Sequence, residues 1–258
     1  MADLNLRLGL DVLTIAENAR DILLQSGLDV DSDANLTFAV EPEVIENSIA
    51  EDLRTGAQCV VTNVINFNPS ALRKMKALEE AETLAKKSVA MTQNKHVQHP
   101  LVRIFPSELP LDPTSKQSLN EHADEYKFVA KLFDKLPVDG FLLHGFKKET
   151  ELKCALIGLR KGSDKTIIYD KRIFKSSNID KNNIKIFGSS EIVDSDFSPA
   201  SSKIAVIDYE QVPHIDALLD AATSEAENGT QFLLIKNASP SKTAAVCALT
   251  SGWEVRAN

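Results

Sequence analysis

Short apolar runs alternate with segments of helical period along most of this chain, and that rhythm restricts the folds open to it. The runs are Cys59–Phe67 (CVVTNVINF), Pro100–Phe105 (PLVRIF), Val138–Phe146 (VDGFLLHGF), Thr166–Tyr169 (TIIY), Lys203–Tyr209 (KIAVIDY) and Gln231–Asn237 (QFLLIKN). A run that is apolar throughout predicts a strand buried on both faces, as in a parallel sheet. The segments between carry apolar residues three and four apart. Ile45, Ile49 and Leu53 form one stripe, with Pro42 suited to the first turn and Gly56 just past the end. Asn68-Pro69 predicts a capped start for a helix carrying Leu72, Met75, Leu78, Ala81, Ala85 and Val89 on one side. Leu119, His122, Tyr126, Val129 and Phe133 repeat the spacing, as do Leu152, Ala155, Leu156 and Leu159. Pro213 and Pro240 fit the first turns of two later helices.

Strand followed by helix, repeated, implies parallel strands joined by crossovers. The six clear runs, with a first strand read at Leu36–Val40 and a last at Trp253–Arg256, make eight. We therefore expect an α/β chain folded as one (β/α)8 TIM-type barrel over residues 1–258, rather than an open doubly wound sheet. The stretch Phe174–Ser202 breaks the rhythm: it is rich in Ser, Asn and Asp and has no amphipathic helix. The expected barrel is degenerate there, with a helix replaced by loop.

Composition narrows the function. With 29 Lys and Arg against 37 Asp and Glu, the net charge is −8, which speaks against general nucleic-acid binding. Residues 147–185 carry eleven basic and five acidic side chains, read as a solvated surface, with an anion-binding face as the alternative. Cys59, Cys154 and Cys247 are odd in number and widely spaced, so a disulfide framework is not expected and a reducing cytoplasm is. Neither a signal peptide nor a membrane span is expected.

The segment Glu41–Phe67 (EPEVIENSIAEDLRTGAQCVVTNVINF) resembles the homocysteine S-methyltransferase family, including the homocysteine-binding barrel of cobalamin-dependent methionine synthase. The family pattern has Pro-Glu opening a helix, then Ala-Gly-Ala, then a strand ending Thr-Asn-Thr-Phe. Pro42, Glu43, Gly56, Ala57, Thr62, Asn63 and Phe67 match it, while Thr55 and Val64 depart from it. Leu24–Leu28 (LQSGL), Ser107–Pro110 (SELP), Val138–Leu156 and Gln231–Ser239 (ending KNAS) are similar to further family segments. The resemblance implies a methyltransferase-like protein of methionine biosynthesis. In the family, zinc is held by a Cys of an Asn-Cys pair after the sixth strand and by a Cys-Cys pair after the last, and it keeps the homocysteine sulfur nucleophilic. Here Ile204–Tyr209 (IAVIDY) and Trp253–Asn258 (WEVRAN) hold no cysteine, and His144-Gly145 replaces the family's Glu-Thr after the fourth strand. Zinc is therefore expected for the family and not for this chain. Cys59 begins a strand at the far end of the barrel, and Cys154 and Cys247 lie on helices as buried small apolar residues.

A barrel's site lies at the C-terminal ends of its strands. His144 and Asp208 are the candidate catalytic pair, as acid and base. With a second aspartate they would also suit a divalent cation. Thr62, Asn63, Ser107, Asp170 and Asn237 are candidate ligand contacts, with no metal ligand assigned. The alternative for each is a strand-end polar residue satisfied by loop backbone; for Asn63 it is a brace for the next loop. His96 and His99 flank a strand start at the stability end, and His122 and His214 are expected on helix surfaces or grooves. Three functions remain open: methyl transfer to a small thiol, a catalytically silent pseudoenzyme that binds a small-molecule ligand or a partner protein, and a barrel enzyme using His144 and aspartate on another small substrate.

Overall fold

A computed structural model of the chain describes residues 4–7, 10–40, 42–93, 95–169, 204–208, 214–227, 230–236 and 238–254; for Asn5, Val40 and residues 204–208 it describes the backbone alone. The strands are β1 (Leu13–Ala16), β2 (Cys59–Val61), β3 (His99–Ile104), β4 (Gly140–Leu143), β5 (Thr166–Tyr169), β6 (Ile204–Asp208) and β7 (Phe232–Lys236). The helices are α1 (Leu4–Arg7), α2 (Asn18–Gln25), α3 (Ala34–Val40), α4 (Pro42–Arg54), α5 (Pro69–Lys74), α6 (Ala81–Gln93), α7 (Lys116–Asp134), α8 (Glu149–Gly162), α9 (Ile215–Glu227) and α10 (Pro240–Thr250).

The described strands form one parallel sheet in the order β5-β4-β3-β2-β1-β7-β6. β1 pairs with β2 through Ile15–Cys59 and with β7 through Ile15–Leu234. The last described strand thus lies beside the first, and every other neighbour is consecutive in sequence. That is the order of a ring wound in one direction, not of a doubly wound sheet, whose order reverses at a switch point. The described sheet is a curled, TIM-like part of such a ring. Its outer members are β5 and β6, and the chain between Tyr169 and Ile204 lies outside the described residues.

The two faces of the sheet separate cleanly. One face gathers Leu13 and Ile15 of β1, Cys59 and Val61 of β2, Leu101, Leu142, Ile168, and Phe232 and Leu234 of β7 into one apolar cluster. Alternate residues, including Val60, Val102, Phe141 and Ile167, pack instead against α4 to α8. Ala16, Leu233 and Ile235 pack against α9 and α10. The first cluster is the face turned away from the helices, the interior side of the curled sheet, and Leu4 of α1 is the one helical residue in it. Burying each such side chain contributes about 1.5–3 kcal/mol. The N-terminal end of the interior is tied by Arg7, which contacts Asp11 and the His99 ring, and by His99 Nδ1, 2.7 Å from Asp139.

Several sequence expectations need correction. Leu36–Val40 is not a strand but most of α3. Asp33 caps that helix by accepting from the Leu36 N–H at 2.8 Å, and Thr37 hydrogen-bonds back to the Asp33 carbonyl. These local bonds outweigh the strand preference of Thr and Phe. The first strand is Leu13–Ala16. No strand stands between β7 and β1 for Trp253–Arg256 to supply: Glu254 makes an isolated antiparallel bridge to Asp11, and residues 255–256 lie outside the described set. The helix expected from Asn68 onward is broken. α5 ends at Lys74, Lys76 adopts a φ of 54°, and a 3-10 turn at Leu78–Glu80 leads into α6. His122 is buried, its ring held by the Ser118 and Leu109 carbonyls. His214 precedes α9 and is exposed. The loop expected at 174–202 lies outside the described residues. Among the described residues no helix is long and apolar enough to cross a membrane.

Candidate functional site

Alternation along each strand fixes what crowns the apolar interior. Two residues beyond Ile15 comes Glu17; two beyond Leu101, Arg103; two beyond Leu142, His144; two beyond Leu234, Lys236. All lie at the C-terminal ends of their strands, where a barrel carries its chemistry. They meet. The Glu17 carboxylate is buried, with Arg103 Nη1 3.2 Å from Oε2, Lys236 Nζ 3.4 Å from Oε1 and His144 Nδ1 3.6 Å from Oε1. Among the described residues neither Glu17 oxygen has a hydrogen bond of good geometry, and Arg103 Nε is likewise buried without one. The site is ion-paired but not saturated. Among the described side chains, Arg103 and Lys236 outnumber Glu17 by one charge.

The surroundings hold Arg103 in place. Asn63 Oδ1 accepts from the Arg103 N–H at 2.7 Å, and Asn63 Nδ2 donates to the Arg103 carbonyl at 2.9 Å and to the Ile65 carbonyl at 3.1 Å. The amide extends the β2–β3 ladder one step past its backbone end, so Asn63 positions Arg103. The guanidinium also stacks on Phe105, 4.6 Å from the ring centroid, and Arg20 lies 4.9 Å from the same centroid. Arg20 is bound through both oxygens of Asp31 at 2.7 Å.

The other sequence candidates fall in several places. His144 joins the cluster just past β4. Thr62 is buried after β2; its N–H donates to the Leu101 carbonyl at 2.8 Å, and its hydroxyl has no hydrogen-bond partner among the described residues. Ser107 belongs to a different network. Its N–H lies 2.9 Å from both the Tyr126 hydroxyl and Glu151 Oε1, and its Oγ is 3.4 Å from Glu125 Oε2. Burial, reinforced by the Glu151 charge, pushes the Tyr126 phenol well above its ordinary range. Asp208 ends β6 in register with Lys236, and its side chain is not described. Asp170 and Asn237 lie outside the described residues. Glu17, Arg103 and Lys236 are functional candidates that periodicity alone passes over, because it ranks apolar positions. The signal was there in Arg103, a charge set inside the apolar run PLVRIF.

Beside the mouth a cavity of about 310 Å³ is lined by Asn18, Asp52 and Pro240 among others. Asp52 accepts from the Asn18 N–H and side-chain amide at the start of α2. Burial pushes its carboxyl up to about 7 against those hydrogen bonds.

The three cysteines are buried and free. Cys59 starts β2, at the end of the strand opposite the mouth, and burial pushes its thiol far up. Burial likewise raises Cys154 on α8 to about 12 and raises Cys247 on α10. Cys247 donates to Thr14 Oγ1. A cysteine holds zinc as its thiolate, and these sites favour the thiol. Among the described residues no three His, Cys, Asp or Glu side chains converge as a metal site. Among the described residues the Glu17 carboxylate is shared by Arg103 and Lys236.

No family model matches the sequence, and no curated protein matches it. Solved structures do. The chain is similar to the homocysteine methyltransferase MmuM from Escherichia coli. It aligns with the metallated form at 12% identity and a TM-score of 0.61, over 92% of this chain and 96% of that one. The oxidized form gives 14% and 0.63 over the same shares, and the apo form 11% and 0.55 over 93% and 96%. At these identities the likeness establishes the fold: this chain has the α/β architecture of that methyltransferase, a related TIM-like barrel.

Proposed function

We propose that this protein is a homocysteine S-methyltransferase-like barrel that binds a small carboxylate-bearing molecule in its mouth and does not use zinc-thiolate chemistry. One observation carries the reading: Arg103, Lys236 and His144 converge on a buried Glu17 whose oxygens lack aligned hydrogen bonds. Two fixed cations would take an anion, and the guanidinium fork suits a carboxylate in particular. Glu17 would take a positively charged group on the same ligand. An amino-acid zwitterion satisfies both, and homocysteine, named for the solved neighbours, is the first ligand to try. Against zinc stand the positions of Cys59, Cys154 and Cys247, their raised thiols, and the excess of Arg103 and Lys236 over Glu17 among the described side chains, which disfavours a divalent cation. On this reading the protein is a ligand-binding relative, silent in zinc-dependent methyl transfer, that works in the cytoplasm.

The test combines three readouts on the full chain: metal content, methionine formation from homocysteine with common methyl donors, and melting temperature with homocysteine. A ligand present at 100 times its Kd adds about 2.7 kcal/mol to stability. We expect no stoichiometric zinc, no methionine, and a rise in melting temperature that Arg103→Gln removes. Stoichiometric zinc with methionine formation would overturn the proposal, as would unchanged melting with every small carboxylate tried.

A further inference from the structure

We propose that Lys236 forms an imine with a small 2-oxo acid in the mouth, with Glu17 moving the proton and Arg103 holding the substrate carboxylate. This rests on the mouth being a carboxylate site, as argued above, and goes further by giving it a covalent step. Lys236 is the terminal residue of β7, paired in register with Asp208 of β6, so its backbone is fixed by that ladder, and its side chain is 17% exposed. Its Nζ lies 3.4 Å from Glu17 Oε1, an oxygen with no aligned hydrogen bond among the described residues. The other oxygen faces Arg103 at 3.2 Å. One carboxylate therefore joins a primary amine to an anion-holding guanidinium, which is what capturing a carbonyl next to a carboxylate requires. An amine nucleophile needs a base beside it to give up its proton, and an oxo acid needs its carboxylate anchored so that the carbonyl carbon meets the nitrogen.

The step balances with no further reagent. Glu17 takes one proton from the Lys236 ammonium. The free amine attacks the carbonyl carbon, the C–N bond forms, and the carbonyl electron pair goes to oxygen, which Glu17 protonates. Loss of that oxygen as water, with a proton from nitrogen, leaves the iminium. In net terms ammonium and carbonyl give iminium and water.

Lys153 is an internal control. Its side chain is also 17% exposed and also pairs with a glutamate, Glu149 at 2.7 Å, but it sits on α8 and, among the described residues, no arginine shares that carboxylate. The experiment incubates the full chain with pyruvate and sodium cyanoborohydride, which reduces the imine to a stable carboxyethyl-lysine, and quantifies that adduct at each lysine by peptide mass spectrometry. Melting temperature with pyruvate alone is measured in parallel. We expect labelling of Lys236 to exceed that of Lys153 by about tenfold or more, to slow in Glu17→Gln, and to vanish in Lys236→Arg, which keeps the positive charge. Equal labelling of Lys236 and Lys153, with pyruvate still raising the melting temperature, would overturn the imine and leave the carboxylate site standing. Neither labelling nor a melting shift would overturn both.

Discussion

Two buried glutamates on this scaffold live in opposite circumstances. Glu125 of α7 accepts from the Ser70 N–H through both oxygens at 3.0 Å, from the Ser70 hydroxyl and, at 3.4 Å, from Ser107, and has Arg73 at 3.8 Å. Its hydrogen-bonding capacity is spent closing the start of α5 and the loop after β3. Glu17 has three cationic or basic side chains within 3.6 Å and, among the described residues, no aligned hydrogen bond. Burial with full satisfaction marks a carboxylate that holds the fold together. Burial with charge neighbours and unmet geometry marks one arranged for something else.

The contrast can be attacked by mutation. Glu125→Ala should cost most, about 3 kcal/mol in denaturant unfolding, because it strands the Ser70 N–H and both serine hydroxyls. No carboxylate ligand should restore that loss. Asn63→Ala should cost about 2 kcal/mol by removing the bonds that pin Arg103, and should weaken carboxylate binding alongside stability. Glu17→Gln should act the other way on binding. With its competitor gone, the Arg103 and Lys236 pair should hold a simple carboxylate such as acetate about tenfold more tightly, roughly 1.4 kcal/mol, in a calorimetric titration. The preference for ligands bearing an ammonium should disappear with it. Weaker acetate binding in that variant would mean Glu17 is structural, like Glu125.

The smallest effect concerns pH. Asp52 is raised in the fold from 3.8 to about 7, so between those values the native state holds a proton that the unfolded chain has lost. Its contribution is therefore full below about pH 4 and declines as pH rises toward 7. Melting curves from pH 6.5 to 8 should show the wild type losing stability relative to Asp52→Asn, by a few degrees. A constant gap between the two would place the Asp52 carboxyl at its ordinary value.

Periodicity made much of this fold legible. The runs at Cys59, Pro100, Thr166 and Gln231 are strands, and the stripes at Ile45, Leu119 and Leu152 are helices, because burial on one face or two leaves its period in the sequence. What failed depended on single side chains. Leu36–Val40 has strand-like composition, but Asp33 caps it into a helix. The short run Leu13–Ala16 was passed over, and with it went Glu17, whose meaning depends on its following that strand. His144 is legible as a polar residue that follows an apolar run, and the fold sets it 3.6 Å from Glu17. Arg103 and Lys236 were missed because a charge at a strand end reads equally as solvent-facing until the ring brings three such ends together.

The most direct measurement is a calorimetric titration of pyruvate into the wild type, Glu125→Gln and the double variant Arg103→Gln/Lys236→Gln. We expect saturable one-to-one binding to the wild type, unchanged in Glu125→Gln, weakened by added salt, and lost in the double variant. Equal affinity in the double variant and the wild type would contradict it.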